Sequence, residues 1–165
     1  EFSDTPKESI HIGIDGCGVP VFGVPLKKMA LAYARLFNPD CFNGKYTEAQ
    51  ELLHRAVTEY PEMIAGNGRL DTDLIRMTKG ELFGKMGADG VFCVHCHQQG
   101  IGIAVKIQDG GIRAVDPVVI ETLSQLGILQ KEMLEKMNHY HYPSVMTWTG
   151  KIIGLINPVF QLVKT

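Results

Sequence analysis

The sequence predicts an α+β fold in which helices pack on an antiparallel sheet. Apolar residues recur at helical spacing through the first half of the 165 residues. After residue 81 they alternate in two β-like runs joined by a short connector. Helices first and a hairpin later is the order typical of α+β proteins. The length predicts a single domain, residues 1–165, or part of a larger one.

Three helices are predicted before the hairpin. The first lies in "LKKMALAYARLF" and ends at "NPD". The second begins with a capping box formed by Thr47 and Gln50, and Pro61 lies just past its end. The loop "AGNGRLDTD" then leads to a shorter third helix around "TDLIRMT". The first half therefore has a helical core.

From residue 81 the pattern changes to that of strands. "VFCVHC" and "IGIAVKI" predict a hairpin connected by "HQQG". A helix follows in "DPVVIETLSQLGIL", with Asp116 as its N-cap, Pro117 as its first residue and Gly127 near its end. The tail, "YPSVMTWTGKIIGLINPVFQL", predicts a turn and one or two short strands.

Composition argues against two classes of partner. The formal net charge is −2 and no basic face stands out, so a nucleic-acid partner is not expected. No apolar run approaches the roughly 20 residues that span a bilayer, so no membrane partner is expected. The four cysteines come without a secretory signal, which favours reduced thiols in a cytoplasmic protein.

Lys106 is the first chemical candidate. In the second hairpin strand, Gly102, Ala104 and Lys106 share one face because strand side chains alternate. A lysine inside such a strand is costly to bury without a partner or a task, and its small neighbours would leave room for a substrate or another side chain. The alternative is an ordinary lysine that faces solvent.

The other strand carries two thiols, Cys93 and Cys96, interleaved with histidines in "CVHCH". Thiolates and imidazoles bind zinc, but a self-contained zinc site needs a second ligand pair that the sequence lacks. Two readings stay open. One cysteine could contribute to a site completed elsewhere, or both could be small buried hydrophobes.

Two glycine-rich loops carry further polar candidates. "GNGRLDTD" places Arg69 near Asp71 and Asp73, which suits a polar ligand, although helix capping by at least one of the acids is favoured. "GIDGCG" sets Asp15 and Cys17 among glycines, where the backbone can approach a small ligand closely. The alternative is a tight turn in which Asp15 bonds its own backbone.

Taken in order, four motifs resemble the asparaginase II family, the thermolabile or rhizobial-type L-asparaginases. They are "GIDGCGVPVF", "IAGNGRLDTDLIR", "KMGADGVFCV" and "GIGIAVKIQDGGIRA". The similarity runs from about residue 11 to the end and corresponds to the C-terminal half of a typical member. It implies a serine-β-lactamase-like fold related to serine-dependent glutaminases, a homodimer, and hydrolysis of L-asparagine to aspartate and ammonia.

The resemblance also implies roles for particular residues. A nucleophilic serine lies in an S-x-x-K motif of the missing N-terminal half, and a second serine there pairs with a lysine that matches Lys106. Members can hold zinc through a C-S-G-K motif and a later cysteine, which matches Cys93. Asp15 and Cys17 match the "DGC" motif beside the substrate. From the polar residues of its own loop, Arg69 is also expected to bind substrate.

Departures from the family pattern set the expected behaviour of this chain. It has neither S-x-x-K nor C-S-G-K, so the nucleophile and two zinc ligands are absent from its sequence. "GKMG" places Met86 where penicillin-binding relatives have a hydroxyl residue, which puts a comparable role for Lys85 in doubt. The isolated chain is expected to be inactive. The alternative function is a non-catalytic module that binds a small polar ligand or zinc in assembly or regulation.

Overall fold

The computed structural model describes residues 1–164 and confirms the α+β class. Its helices are α1 (Leu26–Ala34), α2 (Thr47–Glu59), α3 (Glu62–Ala65), α4 (Leu70–Thr78), α5 (Val115–Gln125), α6 (Lys131–Lys136) and α7 (Asn138–His141). Its strands are β1 (His11–Ile14), β2 (Pro20–Gly23), β3 (Leu82–Gly87), β4 (Val91–Cys96), β5 (Ile101–Lys106), β6 (Ser144–Met146) and β7 (Ile152–Leu155). Short 3₁₀ turns lie at Lys7–Ser9, Pro39–Phe42 and Ile112–Ala114.

The strands form three small sheets with the orders β1-β2, β3-β4-β5 and β6-β7. β1 pairs antiparallel with β2, so that Ile12 lies opposite Phe22. β6 pairs antiparallel with β7, with a bulge at Val145 and Met146. The connectors within β3-β4-β5 are too short for a crossover, so these strands are antiparallel as well. The hairpin predicted from "VFCVHC" and "IGIAVKI" is therefore confirmed.

The chain divides into two compact units. The first contains Glu1–Met86 and Cys93–Ala104, and the second contains Gly87–Phe92 and the residues from Val105 onward. Side chains buried in the core of the first unit include Phe37, Val57, Ile75 and Phe83. In the second unit α5 buries Val115, Val119, Ile120 and Leu123. No helix within residues 1–164 is long and apolar enough to cross a membrane.

Helix α1 lies directly against β5 at Gly102. A methyl group built on Gly102 would overlap the carbonyl oxygen of Ala30 and the backbone nitrogen of Ala34. The open space predicted above Gly102 is therefore filled by a helix. The small residue does create room, as its position in the strand suggested, but the first helix of the same chain uses that room.

The predicted capping box of α2 is wrong, although the helix is where the sequence places it. Tyr46 is the N-cap residue and makes no side-chain cap bond. Gln50 is buried and its Nε2 donates instead to the carbonyl oxygens of Arg35 and Leu36, at 2.9 and 3.1 Å. These carbonyls follow the end of α1, where backbone acceptors lack intrahelical donors. Tertiary packing thus redirects the glutamine.

Other elements differ from the sequence expectation in smaller ways. β3 was not predicted because glycines interrupt its apolar run, yet Leu82 and Phe83 are buried. α5 begins at Val115 with Asp116 in its first turn, so the predicted N-cap is off by two residues. Gly127 follows the end of that helix with φ of +68°, as its position near the helix end predicted. The two short strands of the tail are confirmed as β6 and β7.

The contact at Gly102 predicts a large stability difference between two glycine-to-alanine changes. Gly102→Ala forces a methyl group into helix backbone and should lower the free energy of unfolding by about 1–3 kcal/mol or more. Gly154→Ala is the matched control, because Gly154 also lies in a strand and has open space around its Cα. Urea denaturation measures both variants. Equal stability of the two would contradict the close approach of α1.

Candidate functional site

The "GIDGCG" stretch contains the end of β1 and most of the turn that leads to β2, and Asp15 shapes that turn. Oδ1 of Asp15 accepts hydrogen bonds from the backbone N–H groups of Cys17 and Val19, both at 2.9 Å. Gly18 adopts φ of +79°, a conformation that favours glycine. The turn in which Asp15 bonds its own backbone is therefore present. Asp15 and Cys17 are both exposed, and their role beside a substrate stays a prediction.

Lys106 is the last residue of β5 and its side chain is tied to backbone. Its Nζ donates to the carbonyl oxygen of Asp89, at 2.8 Å, and to that of Ile107. Asp89 has φ of +53° in the turn between β3 and β4, which presents its carbonyl to the lysine. Lys106 is exposed, so no burial cost is involved. Its pairing with a serine stays a prediction.

Three charged side chains converge on Met86, at the end of β3. Asp71 accepts the backbone N–H of Met86 at 2.7 Å. Lys85 donates from Nζ to the carbonyl oxygen of Met86 at 2.7 Å, and the same Nζ lies 3.5 Å from Oδ1 of Asp71. Arg69 donates from Nη2 to the thioether sulfur of Met86 at 3.3 Å. The sequence predicted Arg69 here, and Lys85 and Asp71 complete the group.

Asp71 is the unusual member of this group. It is fully buried, and its Oδ2 has no hydrogen-bond partner among residues 1–164. Helix capping was expected for at least one of Asp71 and Asp73, and Asp71 does not take that role: Arg69 is the N-cap residue of α4, and Asp71 bonds the backbone of β3 instead. Leu74 and Ile75 lie three and four residues further along α4 and are buried on the same face. That spacing was the signal in the sequence that Asp71 is buried.

Tyr33 and Cys93 are both buried enough for their pKa values to rise. Burial raises the pKa of the Tyr33 hydroxyl well above its usual value, and nearby Cys93 and Asp71 raise it further. Burial also raises the pKa of the Cys93 thiol to about 11. Both groups are therefore protonated at neutral pH.

The residues of this chain do not fit a zinc ion by themselves. Zinc binds the thiolate form of cysteine, whereas Cys93 is only 2% exposed and keeps its proton at neutral pH. No group of three or more histidine, cysteine or acidic side chains within residues 1–164 could hold a metal ion. Cys93 as a zinc ligand thus stays a prediction that needs ligands from outside this chain.

The histidines near Cys93 have structural partners. Nδ1 of His95 donates to the carbonyl oxygen of Tyr33 at 2.7 Å, and burial lowers the pKa of His95. The ring of His54 stacks on that of His97 with centroids 4.9 Å apart, and Nε2 of His54 donates to Gly80 at 3.0 Å. These rings join α1, α2 and β4 within the first unit.

Comparison with known families identifies one match. The family model described as L-asparaginase II matches residues 1–158. None of the curated proteins gives a significant match. The family match covers all four motifs and the residues around Met86.

The four cysteines should separate into two reactivity classes. Cys17 and Cys41 are exposed, whereas Cys93 and Cys96 are buried and burial raises their pKa to about 11 and about 12. N-ethylmaleimide at neutral pH should label two thiols quickly in the folded chain and all four in denaturant. Intact mass counts the adducts. Rapid labelling of Cys93 in the folded chain would contradict its burial.

Proposed function

Because the chain belongs to the L-asparaginase II family, we propose that it forms part of an enzyme that hydrolyses L-asparagine to L-aspartate and ammonia. The family match over residues 1–158 is the observation that carries the proposal. The "DGC", "GNGR" and "AVKIQDG" motifs lie within that range and hold the residues expected to act. An asparaginase-like amidohydrolase is the function that this combination supports best.

The nucleophile is a serine that this chain does not supply in an S-x-x-K motif. A serine hydroxyl needs a base to remove its proton before it attacks the amide carbon. Lys106 is the lysine proposed to pair with such a serine from an N-terminal half. In the structure its Nζ donates to Asp89 and Ile107. The lysine accepts a proton from serine only as the neutral amine, so its ammonium first has to lose one proton; the two remaining N–H groups can keep both contacts while the lone pair accepts.

Substrate contacts are proposed for the two glycine-rich loops. Arg69 supplies a guanidinium, which is suited to a carboxylate. Asp15 fixes the loop through Oδ1 and offers a carboxylate to the ammonium or amide of asparagine. Cys17 lines the same loop and is exposed. The glycines keep the backbone open for a small polar ligand.

Zinc takes no part in the steps assigned to this chain, since the residues described, 1–164, do not by themselves fit the ion. If an N-terminal half brings a C-S-G-K motif, that half supplies the ligands and Cys93 adds to them. We further propose that the complete enzyme is a cytoplasmic homodimer, as the family resemblance implies.

The proposed function predicts activity only after complementation. The 165-residue chain alone should release no ammonia from asparagine. Co-expression with the N-terminal half of an L-asparaginase II family member, which carries S-x-x-K, should restore release. A serine-to-alanine change in that motif is the control. Steady ammonia release by the highly purified chain alone would contradict a nucleophile supplied from elsewhere.

The role of Lys106 predicts a rate effect without a stability effect. Lys106→Met in the complemented enzyme should lower kcat by about 10²- to 10⁴-fold, because a general base is lost. The melting temperature should change little, since surface substitutions alter stability by roughly 0.5 kcal/mol or less. Lys151→Met, at an exposed position in the turn between β6 and β7, is the matched control. Near-normal kcat for Lys106→Met would contradict its role as a base and favour the alternative of an ordinary lysine that faces solvent.

A further inference from the structure

Arg69 has a guanidinium without an anionic partner. Its single contact among residues 1–164 is the thioether of Met86, and sulfur is a weak acceptor. Arg76, on the same helix, is satisfied by contrast. It contacts Asp73 at 3.3 Å, Asn67 at 3.1 Å and Glu62 at 3.5 Å. Arg69 is therefore the arginine of this region whose donors remain available.

Lys85 provides a second positive charge that contacts the same methionine as Arg69, at a different atom. Its ammonium contacts the carbonyl oxygen of Met86, while Arg69 contacts the sulfur of that residue, so both cations are anchored on one methionine. The side chain of Lys85 is 43% exposed, so a ligand can reach it. Asp71 is the one anion that contacts these cations within residues 1–164, so the group of Arg69, Lys85 and Asp71 has a formal net charge of +1.

We propose that Arg69 and Lys85 together bind the α-carboxylate of the amino-acid substrate, and that Asp71 positions them. This inference rests on the proposed function, which supplies an amino acid with a free α-carboxylate. Guanidinium groups bind carboxylates in a bidentate manner, and an ammonium adds a further charge-assisted hydrogen bond. The doubt that the sequence raised about Lys85 concerned the missing hydroxyl at Met86, and carboxylate binding does not need that hydroxyl.

Asp71 acts through other residues rather than on the substrate. Its Oδ1 holds the backbone of Met86 at 2.7 Å and draws the ammonium of Lys85 to 3.5 Å. Its Oδ2 is buried and has no hydrogen-bond partner in the part of the chain that the structure describes, which costs stability. Such a cost at a residue that fixes the end of β3 is typical of a site kept for function. Asp71 is thus a positioning residue.

Three small amides test the inference with the 165-residue chain. L-Asparagine carries both charged groups, succinamate lacks the α-ammonium, and 3-aminopropanamide lacks the α-carboxylate. Calorimetric titration should show binding of asparagine and succinamate, and at least about 10-fold weaker binding of 3-aminopropanamide, because charge-assisted hydrogen bonds are lost. Equal binding of all three, or binding of none, would overturn the inference.

Variants of the same chain locate the effect. Arg69→Gln and Lys85→Met should each weaken the binding of succinamate by about 10- to 100-fold and leave the binding of 3-aminopropanamide unchanged. Arg76→Gln is the matched control and should bind like the parent chain. Asp71→Asn keeps an acceptor for the backbone N–H of Met86 but loses the negative charge beside Lys85. It should therefore weaken the binding of succinamate, while the melting temperature stays close to that of the parent chain. Equal effects of Arg69→Gln and Arg76→Gln would overturn the inference.

The complemented enzyme separates this inference from the proposed function. Normal ammonia release by Arg69→Gln with unchanged KM would leave the proposed function standing and overturn the carboxylate site. Succinamate binding that depends on Arg69 and Lys85, without ammonia release by the complemented enzyme, would support the carboxylate site and overturn the proposed function.

Discussion

The close approach of α1 to β5 is the contact on which the first unit depends. Only glycine lets the helix backbone at Ala30 and Ala34 reach the strand at Gly102. That approach delivers the carbonyl oxygen of Tyr33 to buried His95 and brings Phe37 to Phe83, with ring centroids 5.4 Å apart. Helix α2 then closes the same core through Val57. A larger side chain at position 102 would separate the helix from the strand and disturb all of these contacts.

At the end of β3, a buried carboxylate is held in position by the apolar packing of a helix. A carboxylate as deeply buried as that of Asp71 is expensive unless its oxygens are paired. One oxygen is paired with the backbone of Met86 and with Lys85, and the other is not. The helix α4 that carries Asp71 is packed through Leu74 and Ile75, so its position is fixed by apolar burial. Hydrophobic packing therefore holds a polar group at the site where a ligand is proposed.

The spacing of apolar residues predicted those helices and strands that can be recognised from neighbouring residues alone. α1, α2 and the β4–β5 hairpin lie where periodicity placed them, because apolar spacing in a helix or strand is a property of neighbouring residues. β3 was missed since Gly84 and Gly87 interrupt its pattern, and strand pairing with β4 compensates for them. Motifs singled out five candidate residues, whose roles stay predictions: Arg69, Asp15, Cys17, Cys93 and Lys106. Their neighbours were not singled out, because contacts distant in sequence leave no local periodicity.

The sequence by itself determined the α+β class, the order of the main helices and the hairpin, and the family to which the chain belongs. The tertiary structure decided how individual side chains are used. Gln50 was expected to cap α2 but donates instead to backbone carbonyls at the end of α1, because carbonyls without intrahelical donors lie there. Asp71, one of the two acids considered for capping α4, instead holds β3, because burial on the apolar face of its helix directs it to Met86. Such choices depend on which polar groups meet across the fold, and only three-dimensional packing decides that.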